Sequence, residues 1–332
     1  MALVFTALAD GAASVLILAE FQRRAAGAGS VWGFVDPVLV ILIAGVSVGL
    51  YGFGMSLNDI VDRRRDALLA AHRPLPSGRV SSTLAHATCV MLAILAVSCG
   101  ALYAVRTGDH GYRSLVLLVW TGALITFYDF AGKYLVAPGL LTLGLIRFFH
   151  ATVPAWQLPM LWQALWLLNH VVILSTICYA WEEKRPPLTR RHWVMVIGGL
   201  LTIDALAIGS VWWRRVPRAG GDWMSAMSIE PGLIYPALAS LAFIGVAWWV
   251  TRRAESRRRA GQDLMLYGLL WLIVYDAAFV AGYVNVLAAV FVLMLLPVAW
   301  LAVRVMRVWG GLVGLARRPE YVRAGSTPTE GR

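Results

Sequence analysis

Hydrophobic positions in this chain come in long unbroken blocks, with the polar residues gathered between them. Ten stretches of spanning length can be laid out, at about 2–21, 36–57, 82–105, 113–131, 136–158, 161–181, 192–213, 231–251, 263–282 and 285–308. Each approaches the roughly 20 apolar residues that a helix needs to cross a bilayer core. The last two come from one apolar run, too long for a single crossing, divided at Ala281-Gly282-Tyr283-Val284-Asn285. The pattern predicts an all-α polytopic transmembrane bundle. One helical domain over 1–316 is expected, with a disordered cytoplasmic tail at 317–332.

Composition agrees with the pattern. Of 332 residues, 59% are hydrophobic and only 14% charged, with a mean hydropathy of +0.69, too little polar surface to cover a water-soluble globule. The net charge of +11 would suggest nucleic acid in a soluble protein. Here the cations lie in loops between apolar spans, so they report topology and no nucleic-acid partner is expected. With the amino terminus in the cytoplasm, 21 of the 29 lysines and arginines fall on the cytoplasmic side, Arg147 lies inside a span, and the remainder face outward. A tenth span keeps the arginine-rich tail inside. The first apolar run has no basic leader and is expected to stay as the first helix. Cys89, Cys99 and Cys178 show no paired spacing, so neither a disulfide nor a zinc site is expected. The tryptophan pairs Trp212-Trp213 and Trp248-Trp249 sit at span ends, as interfacial belts do.

One polar stretch does not fit a simple span-and-loop reading. Asn58-Asp59-Ile60-Val61-Asp62-Arg63-Arg64-Arg65-Asp66 follows directly on the second apolar run, and Arg73-Pro74-Leu75-Pro76-Ser77-Gly78-Arg79 comes next. On a helix, Asp59, Asp62 and Asp66 fall within a wedge of about 60°, with Asn58 on its flank. Carboxylates presented that closely repel unless a cation sits between them, and hard oxygen ligands suit Mg²⁺. The Pro-rich turn would aim Arg73 and Arg79 back at the acids, where a guanidinium can bind phosphate oxygens bidentately, and Ser81 or Ser82 would cap the following helix.

These residues resemble the first aspartate-rich motif of the UbiA superfamily of intramembrane prenyltransferases, Asn-Asp-x-x-Asp-x-x-x-Asp followed by Arg-Pro-x-Pro-Ser-Gly-Arg. The resemblance implies about nine transmembrane helices around a central cavity and a Mg²⁺-dependent ionisation of an isoprenyl diphosphate. It implies further that the prenyl group passes to an acceptor within the membrane, in a multi-pass protein whose site faces the cytoplasm, of the bacterial inner membrane. Asn58, Asp59, Asp62 and Asp66 are then the metal ligands. Tyr128-Asp129-Phe130-Ala131-Gly132-Lys133 is similar to the family's Tyr-x-x-x-Lys element, one residue longer, which makes Lys133 and Asp129 diphosphate-site residues. Where the superfamily carries a second Asp-x-x-x-Asp motif, this chain has only Glu182 and Glu183 before Pro186-Pro187. A strong first motif with a reduced second one also resembles the divergent branch found in Ebo-type bacterial gene clusters.

Buried charges complete the candidates. Arg147 lies within a span with His150 one turn later, and an arginine in hydrocarbon needs an anion; the diphosphate, Asp129 and Glu182 are the expected partners. Asp10, Asp204 and Asp276 are intramembrane acids, and Asn169 and His170 read as satisfied interior polar groups. Glu182 or Asp129 is the expected proton acceptor, and the acceptor substrate stays unnamed. Two other readings remain: a UbiA-type terpene cyclase, which ionises the same diphosphate without an acceptor, and a transporter or lipid-binding scaffold using Asp10, Arg147, Asp204 and Asp276 as a charged pathway.

Overall fold

A computed structural model describes residues 4–70, 73–156, 158, 160–182, 186–220 and 222–315. The expected tail at 317–332, and Glu183, lie outside the described residues.

Within them the chain is helical throughout: α1 (Val4–Ala26), α2 (Pro37–Leu69), α3 (Ser82–Arg106), α4 (Arg113–Phe130), α5 (Val136–Thr152), α6 (Trp162–Trp181), α7 (Arg190–Arg215), the single turn α8 (Trp223–Ala226), α9 (Ile234–Arg253), α10 (Arg257–Tyr283), α11 (Val286–Leu293) and α12 (Leu295–Leu315). Nine segments among the described residues are long and apolar enough to cross a membrane, α11 and α12 together making one of them; α5 is a tenth, shorter apolar helix. The protein is therefore an integral multi-pass membrane protein.

Polar residues set the helix boundaries. Asp36 accepts from the Val38 backbone N–H and Pro37 takes the first helical position of α2, the two devices that best tolerate a helix's orphan donors. Ser81 does the same for α3, Ser256 for α10 and Asn285 for α11, while Thr189 and His192 form a reciprocal capping box on α7. The cap at Asn285 falls where the last apolar run was expected to divide. Several helices run past their apolar spans, and two boundaries bear on the site. The helix α5 ends at Thr152 rather than near 158, because Pro154 cannot continue an i to i−4 ladder. The helix α2 runs on past its apolar segment to Leu69, so the Asn58–Asp66 motif is a direct extension of a spanning helix.

Six helices, α1, α2, α4, α5, α6 and α10, close an inner ring by successive packing; α3 lies outside α2, α7 outside α5, α9 outside α10 and α12 outside α1. The inner helices hold the buried core, as in Leu167, Leu168 and Val172 of α6 and Leu272, Ile273 and Phe279 of α10. The outer ones turn Met91, Leu201, Leu206, Leu241 and Ile244 outward, as lipid-facing surfaces do.

A glycine lets α3 seat closely on the ring. A Cβ at Gly49 would come within 2.7 Å of the Ala96 backbone nitrogen and 2.8 Å of the Leu92 carbonyl oxygen, so α2 and α3 meet backbone to backbone. Nothing lies within 4 Å of a Cβ built at Gly245 on α9. Gly49→Leu is therefore expected to destabilise by about 1–3 kcal/mol through overpacking, read as a fall in thermal midpoint in detergent, with Gly245→Leu near wild type. Equal effects would contradict the close α2–α3 approach.

Candidate active site

Inside the ring is a cavity of about 430 Å³, lined by residues of α1, α2, α4, α5, α6 and α10. Its walls are mostly apolar, among them Leu50, Ile125, Leu143, Ile146, Val171 and Leu269, and its polar groups gather in two places. At the end of the aspartate-rich motif stand Asn58, Tyr128 and Asp129. Deeper in, at the level of Ser47, stand Arg147 and His150.

The first cluster joins three elements. α2 contributes Asn58 and Asp62, α4 contributes Asp129, and the tight turn Gly132–Tyr134 contributes Lys133. Lys133 Nζ lies 2.7 Å from Asp62 Oδ1, both side chains largely buried. With its amide nitrogen turned toward the acids, Asn58 donates to Asp62 Oδ2 and to Asp129 Oδ1, each at 3.2 Å; the opposite orientation accepts from Lys133 Nζ at 3.3 Å instead. Two facing carboxylates favour the first orientation, because a carboxylate pair needs donors. Lys133 is thus held between α2 and α4, a more specific place than a snorkelling anchor occupies.

One turn along α2, Asp66 is paired with Arg73 Nη1 at 2.6 Å. The turn after α2 thus folds Arg73 back onto the acids as expected. Arg79 donates to Ser77 Oγ within the same exposed turn. Asp59 is exposed and has Arg73, Asp66 and Asp62 as charged neighbours. The acids therefore divide: Asp62 and Asp129 toward the cavity with Lys133, Asp66 and Asp59 toward Arg73. Among the described residues no three His, Cys, Asp or Glu side chains converge closely enough to hold a metal as their side chains stand. The donors are all oxygens, from Asn58 and four aspartates, a set suited to Mg²⁺.

Glu182, the C-cap of α6, packs near Gly261 of α10 and is not among the residues lining the cavity. Arg147 pairs with neither Asp129 nor Glu182, but makes a buried ion pair with another acid. Its Nη1 donates to Asp10 Oδ2 at 2.7 Å and its Nη2 to Thr6 Oγ1, both on α1. Asp204 accepts from Asn169 at 3.0 Å, and Asp276 from Gln163 at 2.8 Å. Asp10, Arg147 and Asp276 thus belong to one buried network joined through Gln163, while Asp204 is partnered apart from it by Asn169. Ser47 and Gln163, lone polar residues in apolar runs, had no distinguishing signal in the sequence.

A second, larger recess of about 670 Å³ lies between α6, α7, α9 and α10, with Asp204, Asn169, His170 and Ser240 in an otherwise apolar lining. It presents no lysine or arginine, whereas a diphosphate needs cationic donors. The cavity beside Lys133 is the better site.

No family model matches the chain. Over 160 residues it is 32% identical to a 4-hydroxybenzoate octaprenyltransferase of Psychromonas ingrahamii, an alignment covering 44% of this chain, and the chain spans about half, 50%, of that relative's length. Its fold matches the solved structure of a digeranylgeranylglyceryl phosphate synthase, with a TM-score of 0.55, 17% identity, and coverage of 85% of this chain and 94% of the other.

Lys133 is the cation nearest the inner acids. Lys133→Ala is expected to lower the thermal midpoint in EDTA by leaving Asp62 and Asp129 uncompensated, a loss of about 1–3 kcal/mol. Added Mg²⁺ should restore it. An unchanged midpoint in EDTA would show that Lys133 does not hold the acids together.

Proposed function

We propose, from its likeness in sequence to a 4-hydroxybenzoate octaprenyltransferase and in fold to a digeranylgeranylglyceryl phosphate synthase, that the chain is a UbiA-type, Mg²⁺-dependent intramembrane prenyltransferase. In this reading it ionises an isoprenyl diphosphate and transfers the prenyl group to a small or aromatic acceptor. The observation that carries the proposal is Lys133 paired with Asp62, beside Asn58 and Asp129 at the end of an apolar cavity. Acids and a cation meet there at the edge of a space able to take an isoprenyl chain.

Each part has a physical task. Asn58, Asp59, Asp62 and Asp66 would hold Mg²⁺, which when bound offsets the negative charge of the leaving diphosphate. Lys133 and Arg73, with Arg79 from the same turn, supply N–H donors to phosphate oxygens, strengthening as the C–O bond breaks. The apolar wall keeps the allylic cation from water. Asp129 lines the cavity and so is better placed than Glu182 to take the acceptor's proton. The cavity's motif end would face the cytoplasm, as the distribution of lysine and arginine requires.

The test is release of pyrophosphate by the purified protein with C10 to C20 prenyl diphosphates. Turnover should need Mg²⁺ and an acceptor-containing extract, and Asp62→Asn should lower it by about a hundredfold or more. Activity surviving in EDTA or in the Asp62 variant would overturn the metal assignment. Release of a hydrocarbon without extract would replace transfer by cyclisation.

A further inference from the structure

The deep end of the cavity is a built polar site that the diphosphate chemistry does not use. His150 sits at its centre, 6% exposed at the side chain. Its Nε2 lies 3.1 Å from Ser47 Oγ and its Nδ1 lies 3.3 Å from Asp10 Oδ2. An imidazole between a hydroxyl and a carboxylate carries its proton on the carboxylate side, so Nδ1 donates to Asp10 and Nε2 accepts from Ser47. That leaves the Ser47 oxygen with lone pairs at the cavity wall, which both Ser47 and His150 line. The same Asp10 oxygen takes Arg147 at 2.7 Å. Behind it, Asp276 accepts from Gln163, and Ser14 bonds the Asp10 and Ala151 carbonyl oxygens.

The site holds no spare positive charge. Asp10 and Asp276 are both fully buried, each with one oxygen that has no partner among the described residues. Arg147 is already matched by Asp10 at 2.7 Å, and Asp276 adds a second buried carboxyl group. A further anion here would have no counter-charge, at a cost of several kcal/mol. A hydroxyl would meet Ser47, and Arg147 uses only two of its five N–H groups on Asp10 and Thr6.

Position agrees with this use. Ser47 and Asn58 are eleven residues apart on α2, about 16 Å of helix rise. The floor therefore lies well beyond the reach of the diphosphate end.

We infer that Ser47 and His150, held by Asp10 and Arg147, form the acceptor-binding floor of the cavity, and that the acceptor presents a neutral hydroxyl to it rather than a carboxylate or phosphate. This rests on the prenyltransferase reading for the word acceptor, but the site and its preference are testable without turnover.

The test is binding by the purified full-length protein of two probes of similar size, benzyl alcohol and benzoate, which differ only in the one polar group they carry. The alcohol should bind at least about tenfold more tightly, the factor worth about 1.4 kcal/mol. Ser47→Ala should remove most of that preference while affinity for geranyl diphosphate with Mg²⁺ holds. His150→Gln, which keeps a polar group, serves as the second variant should Ser47→Ala lower the yield of folded protein. Lys133→Ala should do the reverse, losing geranyl diphosphate and keeping the alcohol. Equal or tighter binding of the acid, or alcohol binding indifferent to both floor variants, overturns the inference. Failure of the wild type to bind geranyl diphosphate, with alcohol binding intact and Ser47-dependent, instead overturns the prenyl diphosphate reading and leaves the hydroxyl site standing.

Discussion

The buried ion pair between Asp10 and Arg147 is the constraint on which the inner ring depends. A charged arginine inside a bilayer is costly on any scale, and a lone aspartate is no cheaper. Neither α1 nor α5 could enter the ring with its charge uncompensated, so at 2.7 Å the two helices hold each other in register. Around that pair Thr6, Ser14, Ser47, His150, Gln163 and Asp276 are linked by hydrogen bonds, tying α1, α2, α5, α6 and α10 at one depth. Breaking one member of such a network costs more than the net worth of any bond in it, because the others are left buried and unpaired.

That central tie divides the cavity into two chemistries. Toward the motif end, Asp129 stands at the cavity wall with the Asp62–Lys133 pair beside it, a place where a cation bound among the acids would draw in a polyanion. Toward the floor Arg147 is already matched by Asp10, and hydrogen-bonding capacity is what remains. An enzyme that joins a charged substrate to an uncharged one needs such a gradient of polarity, with a dry apolar stretch between. Leu50, Ile125 and Leu143 supply that stretch here.

Much of this was legible in the chain itself. The apolar blocks foretold the spans, and the spacing of Asp59, Asp62 and Asp66 marked the motif; Arg73 returning onto Asp66 follows from the Pro-rich turn. Asp10 and Arg147 were each conspicuous as charges in hydrocarbon, yet their pairing was not readable. They lie 137 residues apart, and helical periodicity says which residues share a face, never which faces meet. Arg147 was assigned to the diphosphate or to Asp129 and Glu182 for want of that contact. The one-face wedge on α2 was likewise a statement about a single helix: Asp62 and Asp66 meet different cations because Lys133 and Arg73 arrive from different segments. Ser47 and Gln163 gave no signal, since a serine or glutamine in an apolar run is common and its partner decides what it means.

The central claim is that the end of the cavity between α2 and α4 is where metal and diphosphate bind. The most direct measurement is an anomalous difference map from crystals of the full-length protein grown with Mn²⁺ and a geranyl thiolodiphosphate. The account predicts a manganese peak within ligand distance of Asn58 and Asp62, with the phosphorus atoms beside Lys133 and the prenyl chain in the inner cavity. Manganese elsewhere, or the analogue seated in the recess between α6, α7 and α9, would contradict it.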